Sequence, residues 1–211
     1  RDKVIMRLKL PDTMEGVGKL IGAKRRSQVR RPEKEGASTE IGGIELLDEF
    51  YQVFSRNMRD LGTPVYPQRF FEVIATHLPE SIRIGLVRMA GQPVAGAFLM
   101  RWGDALEIPW AASHRDFNRY GVNMLLYWEA IGLAIDQGCK IFDFGRSTVD
   151  SGTYNFKRHW GAQPVECRWL AWPDKGSSSE EGIVRRLGSR AWQKLPLALA
   201  NRLGPWVSPD L

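Results

Sequence analysis

Cysteine, histidine and long apolar runs are scarce in this sequence of 211 residues. The two cysteines, Cys139 and Cys167, are too few for a disulfide framework, and they form no zinc-binding pattern with the three histidines. A reducing cytoplasm is the simplest setting for such a chain. No apolar run reaches the roughly 18 residues that span a bilayer, and no signal peptide is recognisable. These shortages argue against a disulfide scaffold, a metal site and a membrane-spanning segment.

Positive charge and aromatic residues are plentiful by comparison. The net charge is +6 with a pI of about 9.5, and the chain contains 8 Trp and 9 Phe among 43% hydrophobic residues. This apolar content is enough for one good core, or one core plus an appendage. The basic balance favours anionic partners, such as phosphates, nucleic acid, nucleotide-sugars or anionic lipid, without choosing among them.

The hydrophobic periodicity predicts alternating helices and strands. After a first strand, Thr13 or Asp12 caps a helix that Pro32 ends near residue 31. Later elements are two helices (44–61 and 68–77), three strands joined by hairpins (82–89, 94–101 and 105–111), an apolar helix capped by Asn123 (124–137), a strand (140–144), a short helix ended by Gly161, and a last strand (164–172). This order predicts a mixed α/β or α+β domain. Pro109, inside the third hairpin strand, predicts an edge, a bulge or a break in pairing that opens a cleft.

Five cations crowd the end of the first predicted helix, at residues 24, 25, 26, 30 and 31. Cations there compensate the helix dipole, which is one explanation. The other explanation is an anion-binding patch, with Arg26, Arg30 and Arg31 as its members. Arg115 and Arg119 precede the apolar helix, whose first amides can also bind an anion. Both explanations stay open.

The stretch from Phe142 to Ala162 concentrates the candidate chemistry. It contains an alternating strand, a polar turn, and a basic, aromatic helix with Phe156 and Lys157. Spacing alone also fits a plain strand-to-helix connection. No Ser/His/Asp order, cysteine nucleophile or metal cluster stands out, so covalent and metal catalysis are disfavoured.

The run FDFGRSTVDSGTYNFKRHWGAQPV at 142–165 resembles the C-terminal half of the Fem-type aminoacyltransferases, and more closely the FemAB-related proteins of exosortase (PEP-CTERM) systems. Upstream, the segments NMLLYWEAI, LEIPWAAS, NMRDLGTPVYP and KRRSQVRRPEKEG extend the resemblance over most of residues 1–172. The resemblance implies a GNAT-like, mostly antiparallel mixed sheet flanked by helices. It also implies that Phe156 and Lys157 hold the tRNA 3′ end and stabilise the transition state.

Further site residues follow as hypotheses. Asp143, and more weakly Glu107, is a candidate for the base beside Lys157. Donor or acceptor contacts are assigned to Arg146, Ser147, Tyr154 and Trp110. No metal and no tightly bound cofactor is expected, and the donor is aminoacyl-tRNA or acyl-CoA. The loop 119–123 does not match the spacing of the acetyltransferase pyrophosphate loop, which weakens acetyl-CoA as the donor.

Three functions fit these features of the sequence. The first is a Fem-like N-acyl or aminoacyltransferase acting on an amine of a cell-envelope precursor, in the cytoplasm or at the inner face of the membrane. The second is an ordinary acyl-CoA-dependent GNAT-type N-acetyltransferase. The third is a non-catalytic module that grips an anionic polymer through its basic helix and Phe156.

The domain prediction has three parts. Residues 1–43 form a basic helical segment that links to an expected preceding GNAT-like domain, because the chain starts abruptly on a strand without Met. Residues 44–172 form the acyltransferase domain. Residues 173–211 form a flexible linker and a basic amphipathic tail, broken at Pro196, which either packs on the protein or contacts a membrane surface.

Overall fold

A single seven-stranded sheet lies between helices in the computed structural model, which describes residues 3–167 and 188–208. The strands are β1 (Lys3–Lys9), β2 (Ala37–Gly42), β3 (Ile82–Met89), β4 (Gln92–Trp102), β5 (Ala105–Ser113), β6 (Ile141–Thr148) and β7 (Gln163–Glu166). The helices are α1 (Met14–Lys34), α2 (Leu47–Leu61), α3 (Gln68–His77), α4 (Val122–Asp136), α5 (Gly152–Arg158) and α6 (Leu197–Val207). Short 3-10 turns cover Ile44–Leu46 and Arg115–Tyr120.

The strand order across the sheet is β2-β3-β4-β5-β6-β1-β7. All neighbours pair antiparallel except β5 and β6, which are parallel. The predicted mixed, mostly antiparallel sheet flanked by helices is therefore confirmed. Because β1 pairs with both β6 and β7, the N-terminal segment completes the sheet and does not stand apart from it.

Two hydrophobic cores cover the two faces of the sheet. The larger core joins the sheet to α1, α4 and α5, and it includes the fully buried Trp160. The second joins the sheet to α2 and α3 through packed aromatic rings, such as Phe50 and Phe71 at 5.5 Å between centroids. Helix α4 carries buried side chains around most of its circumference, which explains its apolar sequence.

A bulge in β5 exchanges the faces of that strand. Phe98 pairs with Trp110 and Met100 pairs with Glu107, so β5 has one more residue than β4 between these two pairs. Ile108 consequently belongs to the larger core, whereas Trp110, two residues on, packs in the second core. The predicted break at Pro109 lies at this bulge. Proline has no N–H to donate to a neighbouring strand, so the irregularity is favourable there.

Helix α1 differs from its prediction in two ways. It continues through Pro32 to Lys34, so the predicted end at residue 31 is wrong. Pro32 lies in the last turn, where its missing N–H leaves the carbonyl oxygen of Gln28 without its intrahelical donor. The helix also kinks at Gly22, whose φ of 77° is not helical, and Arg26 Nη1 donates to the carbonyl oxygen of Gly18 at 2.6 Å beside the kink.

Other boundaries also shift. Helix α4 begins at Val122 after Gly121, which has a left-handed φ of 85°, so Asn123 is inside the first turn and does not cap the helix. Strand β6 continues beyond residue 144 to Thr148. The predicted linker at 173–181 and much of the predicted tail helix lie outside the described residues, as does the end of the last predicted strand.

The described C-terminal helix α6 packs against the domain. Asn201 Nδ2 donates to Ser55 Oγ on α2 at 3.2 Å, and Arg59 Nη1 donates to the carbonyl oxygen of Leu195 at 3.0 Å. None of the helices in the described ranges is long and apolar enough to cross a bilayer.

Candidate functional site

The parallel strands β5 and β6 part after a short pairing and leave a cavity of about 490 Å³ between them. Their recorded pairs end at Glu107 with Asp143. Beyond this point the two strands form opposite walls, and α4 and α5 close the cavity from one side. We call it the central cavity, and its lining residues are Lys3, Ile108, Pro109, Ala111, Tyr127, Phe144, Gly145, Arg146, Ser147, Thr148, Thr153 and Lys157.

A second bulge, in β6, faces the one in β5. Ile5 pairs with Arg146 and Arg7 pairs with Asp143, so β6 has one more residue than β1 between these two pairs. Gly145 has a φ of 69°, a conformation that glycine adopts without strain. Asp143 fixes this geometry, because one carboxylate oxygen accepts from the Gly145 amide and the other from Arg7, both at 2.8 Å.

Lys157 is the most deeply placed cation of the central cavity. It lies on α5, whose N-cap Ser151 accepts from the Tyr154 amide at 3.2 Å, and its residue is only 7% exposed. Its Nζ donates to the carbonyl oxygens of Arg146 at 2.8 Å and Gly145 at 3.3 Å. Burial lowers the pKa of Lys157 to about 8, an effect that the Asp143 carboxylate partly opposes. At neutral pH the amine is therefore mainly protonated.

Ser147 and Tyr127 are the buried hydroxyl side chains of the lining. Ser147 is 5% exposed, and its buried Oγ has no hydrogen-bond partner among the described residues. A buried hydroxyl without a partner is energetically costly, so a ligand that bonds to it gains affinity. Burial raises the pKa of Tyr127 to about 12, which keeps its phenol neutral.

Positive charge dominates the central cavity. Lys3, Arg146 and Lys157 line it, and none of the described lining residues is acidic. The two carboxylates proposed as bases lie outside the lining: Asp143 is bonded as described above, and Glu107 sits beside it on β5. Burial, and then the Asp143 carboxylate, raises the pKa of Glu107. The cavity thus suits an electron-rich or anionic group.

A second pocket of about 330 Å³ opens at the start of α4. We call it the basic pocket, and its lining residues are Arg25, Gln28, Arg31, Asn118, Arg119, Gly121, Met124, Phe156 and His159. The first amides of a helix have no intrahelical acceptor, so together with three arginines they form a site for anions such as phosphate. Burial, and then the charges of Arg25 and Lys24, lower the pKa of His159.

Phe156 separates the two cavities. Its half-buried ring lines the basic pocket, while the next residue, Lys157, lines the central cavity. The ring meets Tyr127 of the central cavity edge-on at 5.1 Å between centroids. The predicted aromatic–ammonium pair therefore has its ring in one concavity and its amine in the other.

The predicted anion-binding arginines divide between several places. Arg31 and Arg119 line the basic pocket, but Arg26, Arg30 and Arg115 do not. Arg26 bonds to the kink of α1, and Arg115 Nη2 donates to the carbonyl oxygen of Asp60 at 2.9 Å. Arg119 also contacts Tyr120, through its hydroxyl at 2.7 Å and its ring.

The remaining predicted contacts also divide. Arg146 and Ser147 line the central cavity, whereas Tyr154 and Trp110 line neither cavity. Tyr154 is 7% exposed within the larger core, and Trp110 packs edge-on against Phe71 at 5.1 Å. Both rings therefore pack in the cores. Their assignment as contacts of the donor or acceptor stays a prediction.

Sequence reasoning missed several lining residues, and helical periodicity would have found some of them. Arg25, Gln28 and Arg31 recur every three residues, which places them on one side of a helix, while Arg26 and Arg30 share another side. Tyr127 carries a lone hydroxyl on the apolar helix α4, which is a weaker signal. Lys3 and His159 have no such signal in the sequence, because only the tertiary fold brings them to the cavities.

The sheet opens between two parallel strands, and the cationic start of a helix lies beside the opening. This arrangement defines a class of transferase domain that can hold a phosphate-bearing acyl donor. Residues 23–158 match the family described as the acetyltransferase (GNAT) domain, and the chain belongs to this family. Membership indicates acyltransferase activity. The sequence matches none of the curated proteins significantly.

Solved structures support the same fold. FemX superposes with a TM-score of 0.70 at 16% identity, over 77% of this chain and 59% of its own. The C-terminal domain of a protein assigned as lysylphosphatidylglycerol synthetase from Agrobacterium fabrum gives 0.58 at 15% identity, over 76% and 58%. L-PGS from Bacillus licheniformis gives 0.53 at 14% identity, over 92% and 67%. The chain thus spans under two thirds of the first two proteins.

Proposed function

We propose that this chain is the acyl-transferring part of a Fem-like enzyme, which moves an acyl or aminoacyl group onto an amine of a cell-envelope precursor. The observation that carries the proposal is the position of Lys157, a buried ammonium at the divergence of two parallel strands. FemX is similar in fold, and the Phe–Lys pair of the sequence motif stands at the wall between two cavities.

The reaction assigns one task to each cavity. The basic pocket holds the phosphates of the donor, and the central cavity receives its reactive carbonyl. The acceptor nitrogen attacks the carbonyl carbon, and the ester or thioester bond then breaks. Lys157 stabilises the negative charge that develops on the carbonyl oxygen. Its ammonium has three hydrogens, two of which bond to the carbonyls of Gly145 and Arg146.

The cationic lining assists the acceptor. Positive charges near an amine lower its pKa, so the neutral, nucleophilic form of the acceptor is favoured in the central cavity. The proton lost by the nitrogen leaves with the departing oxygen or sulfur. In this scheme Asp143 acts through the bulge that it holds, because both of its oxygens are bonded within the protein.

A donor of the ordinary acyl-CoA type is the second candidate, and the basic pocket at the start of α4 favours it. Its size and its arginines suit a pyrophosphate as well as a tRNA end. The association with exosortase systems remains a proposal from the sequence motif, and the location at the inner face of a membrane remains a proposal from the basic C-terminal tail.

The test is a mass-spectrometric transfer assay on the full-length protein, with aminoacyl-tRNA and acyl-CoA offered in parallel to amine-bearing envelope precursors. Lys157→Met should lower turnover by about 10²–10³-fold, as loss of an oxyanion-stabilising donor does. Lys140→Ala, which removes an exposed lysine just before β6, is the matched control and should leave turnover unchanged. Equal turnover of Lys157→Met and wild type would refute the assigned role, and transfer from neither donor would refute the proposed function.

A further inference from the structure

Helix α6 turns its large apolar side chains toward solvent. Its packed face consists of small residues, since Ala200 is buried and a Cβ on Gly204 would lie 2.8 Å from the carbonyl oxygen of Val65. Other positions of the helix carry large side chains that are exposed over 41% to 82% of their surface: Leu199, Leu203, Trp206 and Val207. We call these four residues, with Arg202 among them, the outer face of α6. Such a contiguous exposed apolar surface marks an interaction site.

The domain holds this helix in place. Polar contacts fix it at its middle and just before its start, through Asn201 to Ser55 at 3.2 Å and through Arg59 to the carbonyl of Leu195 at 3.0 Å. Close approach at Gly204 sets its rotation about its own axis. The outer face therefore has one orientation relative to the rest of the protein, and a partner meets it without reordering the helix.

Charge within the C-terminal segment that carries the outer face is of one sign. Residues 188–208 contain three cations, Arg190, Lys194 and Arg202, and no acidic residue. All three are exposed, and Trp206 is the most exposed of the large apolar residues, at 82%. Leucine and tryptophan that enter the headgroup region, surrounded by arginine and lysine, are typical of helices lying on anionic bilayers.

We infer that the outer face of α6 docks on the surface of an anionic phospholipid membrane. A helix of 11 residues lies in the interface and does not span it. Anionic lipid supplies the complementary charge for the three cations, and the acyl boundary buries the apolar side chains. A second copy of the chain would also cover leucine and tryptophan, but it would bring three more cations to the contact.

The test is co-sedimentation of the whole chain with vesicles of phosphatidylcholine, with and without phosphatidylglycerol. Binding should require phosphatidylglycerol and should weaken at high salt. Trp206→Ala should weaken it at least about tenfold through lost apolar burial. Trp102→Ala is the matched control, because Trp102 is 78% exposed on β4, and it should bind like wild type. Arg202→Gln should weaken binding about fivefold, the equivalent of about 1 kcal/mol per cation.

Three outcomes would overturn the inference. One is equal retention of wild type on both vesicle types, and another is equal binding by Trp206→Ala and wild type. The third is a dimer in sedimentation velocity that Trp206→Ala dissociates while vesicle binding is absent, since a second copy would then occupy the face. Each variant changes an exposed side chain, and an unchanged thermal midpoint confirms that it folds.

Discussion

Lys157 shows how one side chain serves the fold and the candidate chemistry together. Where β6 turns away from β5, the carbonyls of Gly145 and Arg146 lose the partner strand, and the ammonium takes its place. A buried charge is tolerated only when it is hydrogen-bonded in this way. The same ammonium lines the central cavity. The group that satisfies the two strand carbonyls is therefore also the group that a substrate would contact.

The lowered pKa of Lys157 makes a prediction about stability that needs no substrate. Burial lowers this pKa from its ordinary 10.5 to about 8. Between these values the unfolded chain binds more protons than the folded one, so stability rises with pH across this window, by up to about 1.4 kcal/mol per pH unit. Lys157→Met removes the group and should remove this rise. Urea unfolding of both proteins at several pH values measures it.

The difference between wild type and variant isolates the lysine, because other titrating groups contribute to both curves. A difference that stays constant between pH 8 and 10.5 would contradict the buried, depressed amine. The same charge state bears on activity, since an ammonium that stabilises an oxyanion must keep its proton. Turnover limited by Lys157 should therefore decline as pH rises through about 8.

At the scale of elements, two facing bulges create the central cavity. The bulge in β5 exchanges the faces of that strand at Pro109, and the bulge in β6 places Gly145 in the left-handed region. Bulges of this kind bend strands and end regular pairing. They explain why a parallel pair at the centre of the sheet separates after Glu107 and Asp143.

Gly145→Ala tests the role of the β6 bulge. Alanine at a positive φ costs about 1–2 kcal/mol, so the free energy of unfolding should fall by that amount. Turnover should also fall, because the strained bulge moves the carbonyls that hold Lys157. Gly91→Ala is the matched control: Gly91 has a φ of +74° in the β3–β4 turn, and a Cβ there also meets nothing within 4 Å. Gly91→Ala should lose a similar amount of stability and keep full turnover. Equal losses of turnover in Gly91→Ala and Gly145→Ala would contradict the role of the β6 bulge.

Local patterns predicted most elements but not the features that shape the site. Helix α3 and strand β3 agree with their predicted bounds, because strong periodicity and turn residues frame both. The break at Pro109 was also predicted, since a missing N–H is visible in the sequence. The bulge at Gly145 and the insertion of β1 between β6 and β7 were not, because both depend on pairing between residues far apart in the chain.

At the scale of the whole molecule, the site is assembled from segments far apart in the sequence. Helix α1 supplies Arg25 and Arg31, the turn before α4 supplies Arg119, and α5 with its C-cap residue supplies Phe156 and His159. Only the docking of α1 beside α4 brings these cations together. The net charge of +6 is thus partly concentrated at one pocket and is not merely spread over the surface.

Concentrated charge and diffuse charge differ in how donor binding responds to salt. If the basic pocket holds the donor phosphates, each arginine that contacts a phosphate releases a counterion on binding. Arg31→Gln and Arg119→Gln should then weaken binding of tRNA and coenzyme A, and each should reduce the salt slope by about one. Arg30→Gln is the matched control, because Arg30 is exposed on the same helix and does not line the pocket. Affinities titrated against salt measure the slopes, and equal effects of all three substitutions would contradict a defined pocket and favour diffuse binding of an anionic polymer.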